Sequence, residues 1–288
     1  MVHQDNVLRA ITDDGGFRVI AADTTATVRG AIAKQKPATV ELTRTFAELL
    51  TGAVLVRESM APEYRLQAIL QGDEPKTRMV ADTHPDGSTR GLIQLPTGVT
   101  AMPYAAKGLF QVARTLHNGA LHQGVVQVPA TAPSVSGALM AYMQESEQVV
   151  TVVAVGCHFT PGGEIVAAGG YMVQLLPELA EGPLMLMTER LKNFEEIGPL
   201  LARGEGSPEK LLAETLFGMP YTQVGDRAVA FSCQCSPERL VGSLASLPRA
   251  DIESLMADGK TLEIECDYCR TPYEFTMDQL KNLLQLPN

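Results

Sequence analysis

Four of the five cysteines in the chain lie in two short-spaced pairs near its carboxyl end. The first pair is Cys233 and Cys235, the second is Cys266 and Cys269, and 30 residues separate the two pairs. Two such pairs that fold together can supply the four thiolates of a tetrahedral zinc site, because zinc binds four sulfurs at about 2.3 Å and has no redox chemistry of its own. The spacing therefore predicts that the tail binds a metal ion, one zinc per chain.

The first pair has a single residue between its cysteines, so the backbone there is tight. A disulfide across such a short span would be strained and easily reduced, which favours a reversible switch over a permanent cross-link. An odd count of five cysteines also fits poorly with a structural disulfide framework. In a reducing compartment such thiols are more often metal ligands or redox sensors.

The amino-terminal residues show no signal for export or membrane insertion. The chain begins Met-Val-His-Gln-Asp, with no basic segment followed by an apolar run. No uninterrupted apolar stretch approaches the roughly 20 residues that a bilayer span needs. We therefore expect a soluble, cytoplasmic protein without a membrane partner.

The charge of the chain argues against a nucleic-acid partner. The sequence carries 33 acidic and 23 basic residues, a net charge of −10, and from Cys233 onward nine acidic residues stand against five basic ones, a net charge of −4. Negative charge repels a phosphate backbone, and a zinc ribbon that binds nucleic acid normally has a basic face. No glycine-rich phosphate loop, GxSxG or HExxH motif is present, so the sequence offers no support for an enzyme or for ATP use.

Residues 1–176 show mixed strand and helix patterns. Helices are predicted at 39–56, where apolar residues recur at spacings of three and four, and near 134–145, where Ser134 can cap the first turn. Between turn signals, strand patterns are predicted at 17–22, 64–70, 77–81, 91–95, 109–115, 124–128, 149–159 and 167–176. Strands and helices in this mixed order predict an α/β or α+β domain that ends near residue 176.

Residues 177–231 change to short helices that are interrupted by glycine and proline. Apolar residues at 184–187 and 191 predict one helix, and Ser207 with Pro208 at the first helical position starts another. Short helices with many breakers depend on docking for their stability. We expect this stretch to be a metastable helical linker, folded only while something holds it.

Residues 232–288 form the predicted metal-binding module. Ser236 and Pro237 begin a helix directly after the first cysteine pair, and a strand at 261–265 leads into the second pair. Thr276 and Gln279 have the spacing of a capping box for a last helix. Because zinc binding energy is folding energy in such modules, on the order of 10 kcal/mol, the tail should lose its structure without the metal.

This order of parts, together with the two cysteine pairs, resembles the redox-regulated heat-shock chaperones known as the thirty-three-kilodalton chaperonins. The likeness extends over the whole chain and is most specific at 231–275, where Ser-Pro-Glu-Arg follows the first pair and Cys-Asp-Tyr-Cys forms the second. It implies an α/β (α+β) amino-terminal domain with mixed sheets and helices for client binding and dimerisation. It also implies the helical linker and a small carboxyl-terminal zinc-binding domain with four cysteine ligands.

The resemblance further implies a mechanism and gives roles to the cysteines. In the reduced, inactive state Cys233, Cys235, Cys266 and Cys269 would bind zinc. Oxidants would join Cys233 to Cys235 and Cys266 to Cys269, release the zinc and unfold the linker. The oxidised protein would then dimerise and hold unfolding client proteins as a holdase that prevents their aggregation under oxidative stress. Zinc keeps its ligands as thiolates, peroxide attacks thiolates, and each sulfenic acid would find a partner one or two residues away.

Other functions use similar cysteine patterns. A static zinc ribbon in an adaptor or a nucleic-acid-binding protein would need the four ligands for structure alone. A thiol oxidoreductase would use the Cys-x-x-Cys motif, but this motif lies near the end of the chain rather than in a thioredoxin-like βαβ unit. The fifth cysteine, Cys157, lies in an apolar stretch and is expected to be a small buried residue.

Overall fold

A computed structural model of the chain describes residues 4–116, 118–177, 181–192, 194, 196–257 and 261–283. Its strands are β1 (Asn6–Thr12), β2 (Phe17–Asp23), β3 (Arg65–Gln71), β4 (Arg78–Thr83), β5 (Ser88–Gln94), β6 (Leu109–Thr115), β7 (Leu121–Gln127), β8 (Thr151–Phe159), β9 (Ile165–Leu175), β10 (Tyr221–Ala228), β11 (Ala230–Phe231), β12 (Leu262–Glu265) and β13 (Pro272–Phe275). Its helices are α1 (Thr25–Gln35), α2 (Val40–Glu58), α3 (Val135–Glu145), α4 (Glu181–Leu191), α5 (Gly198–Ala202), α6 (Pro208–Thr215), α7 (Pro237–Ala245), α8 (Arg249–Met256) and α9 (Met277–Leu283). The chain divides into two compact units, Met1–Ser232 and Cys233–Asn288.

Two sheets form the frame of the first unit. A five-stranded antiparallel sheet has the order β10-β1-β2-β9-β8, and a six-stranded sheet has the order β11-β5-β4-β3-β6-β7. Every pair in the six-stranded sheet is antiparallel except β11 with β5, which is parallel. The strands β3, β4 and β5 form the meander that the sequence predicts. The predicted mixed α/β (α+β) fold class is confirmed.

Helix α2 packs against strands of both sheets and supplies the centre of the core. Its amino terminus is fixed by Thr39, whose side chain accepts a hydrogen bond from the backbone N–H of Leu42. Phe46, Leu49 and Leu50 on this helix are fully buried. Helix α3 packs beside it, and Ser134 caps α3 as predicted by accepting a hydrogen bond from the N–H of Gly137 at 3.0 Å.

The other face of the five-stranded sheet is covered by the short helices that follow β9. Phe17 and Val19 on β2 and Tyr171 on β9 are fully buried beneath them. The helical segment contributes Met187, Leu191, Ile197, Leu200, Leu201, Leu211, Leu212 and Leu216 to this second core. Because both faces of the sheet are covered, β2 and β9 have nearly continuous buried runs rather than the alternation of a half-exposed strand.

Some elements of the first unit have no counterpart in the sequence patterns. The sequence patterns predict neither strand β1 nor helix α1. They also miss strand β10, because it lies within residues 177–231, for which only helices are predicted. Strand β10 is mostly exposed and pairs with β1 along its whole length, so it exists because β1 offers it a partner. The whole stretch 177–231 belongs to the first unit. Its role as a linker that unfolds stays a prediction.

The tail unit has a small core. Apart from cysteines, its buried apolar side chains, among the residues described, are Leu244, Ile252, Phe275 and Leu280. The hairpin of β12 and β13 and the helices α7, α8 and α9 surround them. None of the helices in the described part of the chain is long and apolar enough to span a membrane.

The predicted capping box of the last helix is present. The backbone N–H of Thr276 donates to Gln279 Oε1 at 2.8 Å, and the N–H of Gln279 lies 3.4 Å from Thr276 Oγ1. Ser236 likewise caps α7, because its side chain accepts a hydrogen bond from the N–H of Arg239 at 3.3 Å. Local sequence signals therefore define where two helices of the tail begin.

Candidate metal centre

The four tail cysteines lie at the ends of secondary-structure elements. Cys233 and Cys235 occupy the short segment between β11 and the cap of α7. Cys266 directly follows β12, and Cys269 lies three residues before β13. The hairpin closes around the second pair, because the N–H of Cys266 donates to the carbonyl of Thr271 at 3.0 Å and the N–H of Arg270 donates to the carbonyl of Cys266 at 2.8 Å.

The four sulfur atoms form one cluster. The Sγ atoms of Cys233 and Cys266 are 3.8 Å apart, those of Cys235 and Cys269 are 3.3 Å apart, and all four lie within 4.8 Å of one another. Cys266 and Cys269 are buried and the first pair is half-buried. Over the described ranges, these residues are the one group of three or more histidine, cysteine or carboxylate side chains that can hold a metal ion together.

The spacing of the sulfurs fits a tetrathiolate site. Four sulfurs at about 2.3 Å from a tetrahedral zinc ion stand roughly 3.8 Å from one another. The separations between the sulfurs lie around this value, and a set of four thiolates is the donor set of structural zinc sites. The cluster can therefore hold a metal ion of this kind, and the residues that the sequence singles out are the residues that the fold brings together.

Hydrogen-bond donors surround the cluster. The backbone N–H groups of Tyr268 and Cys269 point at the sulfur of Cys266, as expected for the turn of a Cys-x-x-Cys motif. The hydroxyl of Tyr273 donates to Cys235 Sγ at 3.0 Å, and Thr271 Oγ1 lies 3.2 Å from Cys269 Sγ. Such donors stabilise negative charge on sulfur, so the shell around the cluster is built for thiolates.

The pKa values of the thiols show why the cluster needs a cation. Without a bound cation, burial raises the pKa of Cys235 to about 12, and burial also raises the pKa of Cys266. Burial opposes ionisation of Cys269 too, but hydrogen bonds from Thr271 and Cys235 outweigh it and lower its pKa to about 7. The hydrogen bond to Cys235 raises the pKa of Tyr273 to about 12 and keeps that hydroxyl a donor. Four negative charges in this volume require a bound cation to offset them.

Tyr273 and Thr271 are site residues that the sequence patterns did not reveal. Thr271 follows Cys269 by two residues, a spacing at which hydroxyl side chains commonly make local hydrogen bonds, so this spacing was a usable signal. Tyr273 lies 38 residues from Cys235, and no local pattern connects the two.

Cys157 is separate from the cluster. It lies on β8, is 3% exposed, and burial raises the pKa of its thiol to about 12. A buried, protonated thiol is a poor nucleophile. The expectation that Cys157 is a small buried core residue is confirmed.

Comparison with known proteins gives concordant matches over nearly the whole chain. The profile of the family described as Hsp33 protein matches residues 5–276. A 33 kDa chaperonin of Syntrophotalea carbinolica is 30% identical over 98% of this chain and 99% of its own length. A 33 kDa chaperonin of Symbiobacterium thermophilum is 32% identical over 96% of each chain.

A solved structure supports the fold. The crystal structure of a 33 kDa chaperonin, a heat shock protein 33 homolog from Thermotoga maritima, superposes with a TM-score of 0.81 and covers 98% of each chain at 23% identity. The fold described above is therefore similar to one seen by crystallography.

Proposed function

This chain belongs to the Hsp33 family of chaperones, and we propose that it is a redox-regulated holdase whose switch is the four-cysteine cluster of the tail. In the reduced state Cys233, Cys235, Cys266 and Cys269 hold one zinc ion and the protein is inactive. Oxidation joins Cys233 to Cys235 and Cys266 to Cys269, the zinc leaves, and the linker at 177–231 unfolds. The observation that carries this proposal is the convergence of four sulfurs within 4.8 Å in a unit whose described residues bury only four apolar side chains besides the cysteines.

The tail is suited to respond to loss of the metal. Besides the cysteines, only four apolar side chains of its described residues are buried in its core, so the cross-link through the metal supplies much of what keeps the unit folded. Zinc, when bound, holds the sulfurs as thiolates, which are the form that oxidants attack. Loss of the thiolates removes the ligands, and the tail then has too little buried surface to stay ordered.

The chain directly before the first cysteine links the cysteine cluster covalently to the end of the proposed linker. Strand β11 ends at Phe231, two residues before Cys233, and the N–H of Ser232 donates to the carbonyl of Thr89 at 3.1 Å. The side chain of Phe231 packs closely over Gly30, where an added Cβ would stand 2.7 Å from it. Rearrangement at Cys233 therefore acts on a chain segment that is tightly fitted into the first unit.

The helices of the linker cover the surface that clients would use. Their leucines bury one face of the five-stranded sheet, including Phe17, Val19 and Tyr171. When the linker unfolds, this face and the apolar sides of the helices become accessible at the same time. Contiguous apolar surface of this kind is what an unfolding protein, with its own core exposed, can bind.

The partners in this proposal are unfolded or oxidatively damaged proteins and, in the oxidised state, a second copy of the chain. The net charge of −10 and the acidic tail favour a function without nucleic acid. We place the protein in the cytoplasm, without a membrane partner, where thiols are reduced until stress oxidises them. Holding a client needs neither catalytic turnover nor ATP.

The proposal is tested by light scattering of a thermolabile enzyme that aggregates on heating. The chain is added either reduced and zinc-loaded or after peroxide treatment, and a chromogenic chelator reports zinc release in the same samples. We expect suppression of aggregation only after zinc has left, together with increased binding of an apolar dye such as ANS.

Two controls sharpen this experiment. Cys157→Ser leaves the cluster intact, so this variant should switch like the wild type. Cys266→Ser removes one zinc ligand and one disulfide partner. Oxidation should therefore no longer switch the suppression of client aggregation by this variant as it does in the wild type. Equal chaperone behaviour of reduced and oxidised protein, with zinc retained in both, would reduce the tail to a static zinc ribbon.

A further inference from the structure

Two hydroxyl groups of the hairpin face different members of the sulfur cluster. The hydroxyl of Tyr273, on β13, donates to Cys235 Sγ at 3.0 Å, and Thr271 Oγ1, one residue before β13, lies 3.2 Å from Cys269 Sγ. The two hydroxyls therefore contact cysteines of different pairs: Tyr273 contacts the first pair and Thr271 contacts the second. The two donors differ in their setting, because Tyr273 is half-buried and Thr271 is exposed.

The position of Tyr273 is fixed by the hairpin. It pairs with Ile264 across β12 and β13, and its ring packs against the small core of the tail. The hairpin of β12 and β13, which holds the second cysteine pair in its turn, therefore also positions the Tyr273 hydroxyl. This hydroxyl contacts the first cysteine pair. Tyr273 connects the two halves of the cluster without being a ligand.

A hydrogen bond to a thiolate lowers the reactivity of the sulfur that accepts it. The donor withdraws electron density from the sulfur, and hydrogen bonds to charged acceptors are the strong ones. The nucleophilicity of a sulfur falls as its negative charge is stabilised. A sulfur that accepts a hydroxyl hydrogen bond consequently reacts with oxidants more slowly than the same sulfur without that bond.

We infer that Tyr273 is a positioning residue that shields the Cys235 sulfur from hydroperoxides, and that Thr271 shields Cys269 in the same way. This inference rests on the redox switch proposed above and assigns to two non-ligand residues control over which sulfur reacts, and how fast. The rate at which hydroperoxide oxidises the switch is then set by these hydroxyl groups as well as by the cysteines.

The step that each residue controls is the reaction of its own sulfur with the oxidant, with Cys235 as the example. The thiolate of Cys235 attacks one oxygen of a hydroperoxide, the O–O bond breaks, the sulfur becomes a sulfenic acid, and the other oxygen leaves as hydroxide or alkoxide, which solvent protonates. The thiolate of Cys233 then attacks the oxidised sulfur, the S–O bond breaks, hydroxide leaves and the disulfide forms. The hydroperoxide is reduced by two electrons, which the two sulfurs supply together.

The test follows each cysteine separately. Reduced, zinc-loaded wild type and Tyr273→Phe are mixed with hydrogen peroxide, the reaction is stopped at short times with an alkylating reagent, and the oxidised fraction of each cysteine is measured by mass spectrometry. We expect Cys235 to be oxidised about 3–10-fold faster in Tyr273→Phe, from the typical strength of such a bond and the partial dependence of nucleophilicity on charge. The rate for Cys269 should change much less.

Variants of Thr271 test the same effect at Cys269 and include a matched control. Thr271→Val removes the hydroxyl and should accelerate oxidation of Cys269 rather than Cys235, whereas Thr271→Ser keeps a hydroxyl and should react like the wild type. Tyr221→Phe, which makes the same chemical change at an exposed tyrosine of β10, should leave all four rates unchanged. These variants keep the inference testable even if Tyr273→Phe folds poorly.

A spectroscopic measurement separates this inference from the proposed function. In protein loaded with Co²⁺ in place of zinc, loss of a donor to sulfur should shift the thiolate-to-cobalt charge-transfer band of Tyr273→Phe to longer wavelength, whether or not oxidation activates the chaperone. An unchanged band and an unchanged rate at Cys235, in a variant that binds one metal ion, would overturn the inference. Slower oxidation would overturn it as well, because Tyr273 would then act as a proton donor to the leaving oxygen.

Discussion

The two units of the chain are stabilised in different ways. The first unit places α2 between two sheets and closes a second core with the helices α4, α5 and α6, so its stability comes from apolar burial over many residues. Among described residues, the tail has a core of four buried apolar side chains and concentrates four sulfurs in one cluster. Under the proposed switch, one substitution in the first unit removes a small share of its burial, whereas loss of one ion removes most of what would stabilise the tail. That difference would make the tail suitable as a sensor.

Removal of the metal should give the largest difference in stability between the two units. A strong zinc chelator added to the reduced protein should unfold the tail, because binding on the order of 10 kcal/mol is lost, and should leave the centre of the first unit folded. Hydrogen exchange followed by mass spectrometry checks this, since protection should vanish in β12, β13 and α9 and persist in α2. Restoring zinc should restore protection. Equal protection of the tail in metal-free protein would remove the distinction between the units.

Loss of a buried carboxylate should damage the first unit alone. Glu58 has a side chain 2% exposed, and its oxygens lie 3.0 Å from Arg57 Nη1, 3.3 Å from Arg9 Nη1 and 3.1 Å from Arg227 Nε. Glu58→Gln leaves three guanidinium groups without that charge, so we expect the free energy of unfolding to fall by about 3–5 kcal/mol in urea titrations.

The exposed pair of Glu189 with Lys192 provides the control for Glu58. Glu189→Gln should cost less than about 0.5 kcal/mol, because that pair is open to solvent. Since Arg227 lies on β10, hydrogen exchange in Glu58→Gln should increase first in that strand, while zinc stoichiometry stays at one. A loss of stability no larger than that of the Glu189 variant would show that the ionic cluster contributes little.

The first unit also contains a group that opposes its own folding at neutral pH. Burial raises the pKa of Glu48 from its ordinary 4.5 to about 7, against the opposite effect of Arg44. Between these values the folded protein binds more protons than the unfolded chain, so stability falls as the pH rises through this window and stays lower above it. Glu48→Gln should therefore be more stable than the wild type at pH 8 by about 3 kcal/mol.

The pH series for Glu48 is read from urea titrations between pH 5 and pH 8. The gain of Glu48→Gln over the wild type should grow with pH and reach its full size near pH 8. Glu145→Gln, at an exposed position on α3, should follow the wild type throughout. Parallel curves for Glu48→Gln and the wild type would show that Glu48 titrates normally in the folded protein.

The smallest effect should come from two equivalent helix caps, one in each unit. Ser134→Ala and Ser236→Ala each remove a side-chain acceptor and cost about 1 kcal/mol. In the first unit this cost should appear in urea unfolding with zinc affinity unchanged. In the tail it should appear as roughly 5-fold weaker zinc binding, because folding and binding there are one process. Normal zinc affinity of Ser236→Ala in a competition titration would contradict this coupling.

Much of the fold could be predicted because several elements carry their own signals. Helix α2 has the apolar spacing of a core helix, the strands β8 and β9 have long apolar runs, and the caps at Ser134 and Ser236 are visible as residue types. The cysteine pairs likewise identify themselves by spacing. These features depend on contacts within a few residues, which a single sequence displays directly.

The elements that could not be predicted depend on distant partners. Helix α1 has no side-chain cap at Thr24, and two N–H groups of its first turn are satisfied by the distant Asp5, which accepts from Ala26 at 2.9 Å and from Thr27 at 2.6 Å. Strand β10 has few apolar residues and is a strand through its ladder with β1. Neither arrangement leaves a periodic pattern in the segment itself, because the stabilising groups lie elsewhere in the chain.

The sequence by itself determined which residues can bind a metal, where two helices of the tail begin and which family the chain resembles, since all of these follow from residue types and short spacings. Only the tertiary structure decided that the four sulfurs meet within 4.8 Å, that Tyr273 donates to Cys235 across 38 residues, and that Glu58 joins three arginines from different elements. These contacts arise when packed elements bring distant residues together. Their geometry is set by the packing and register of whole strands and helices, which no local pattern records.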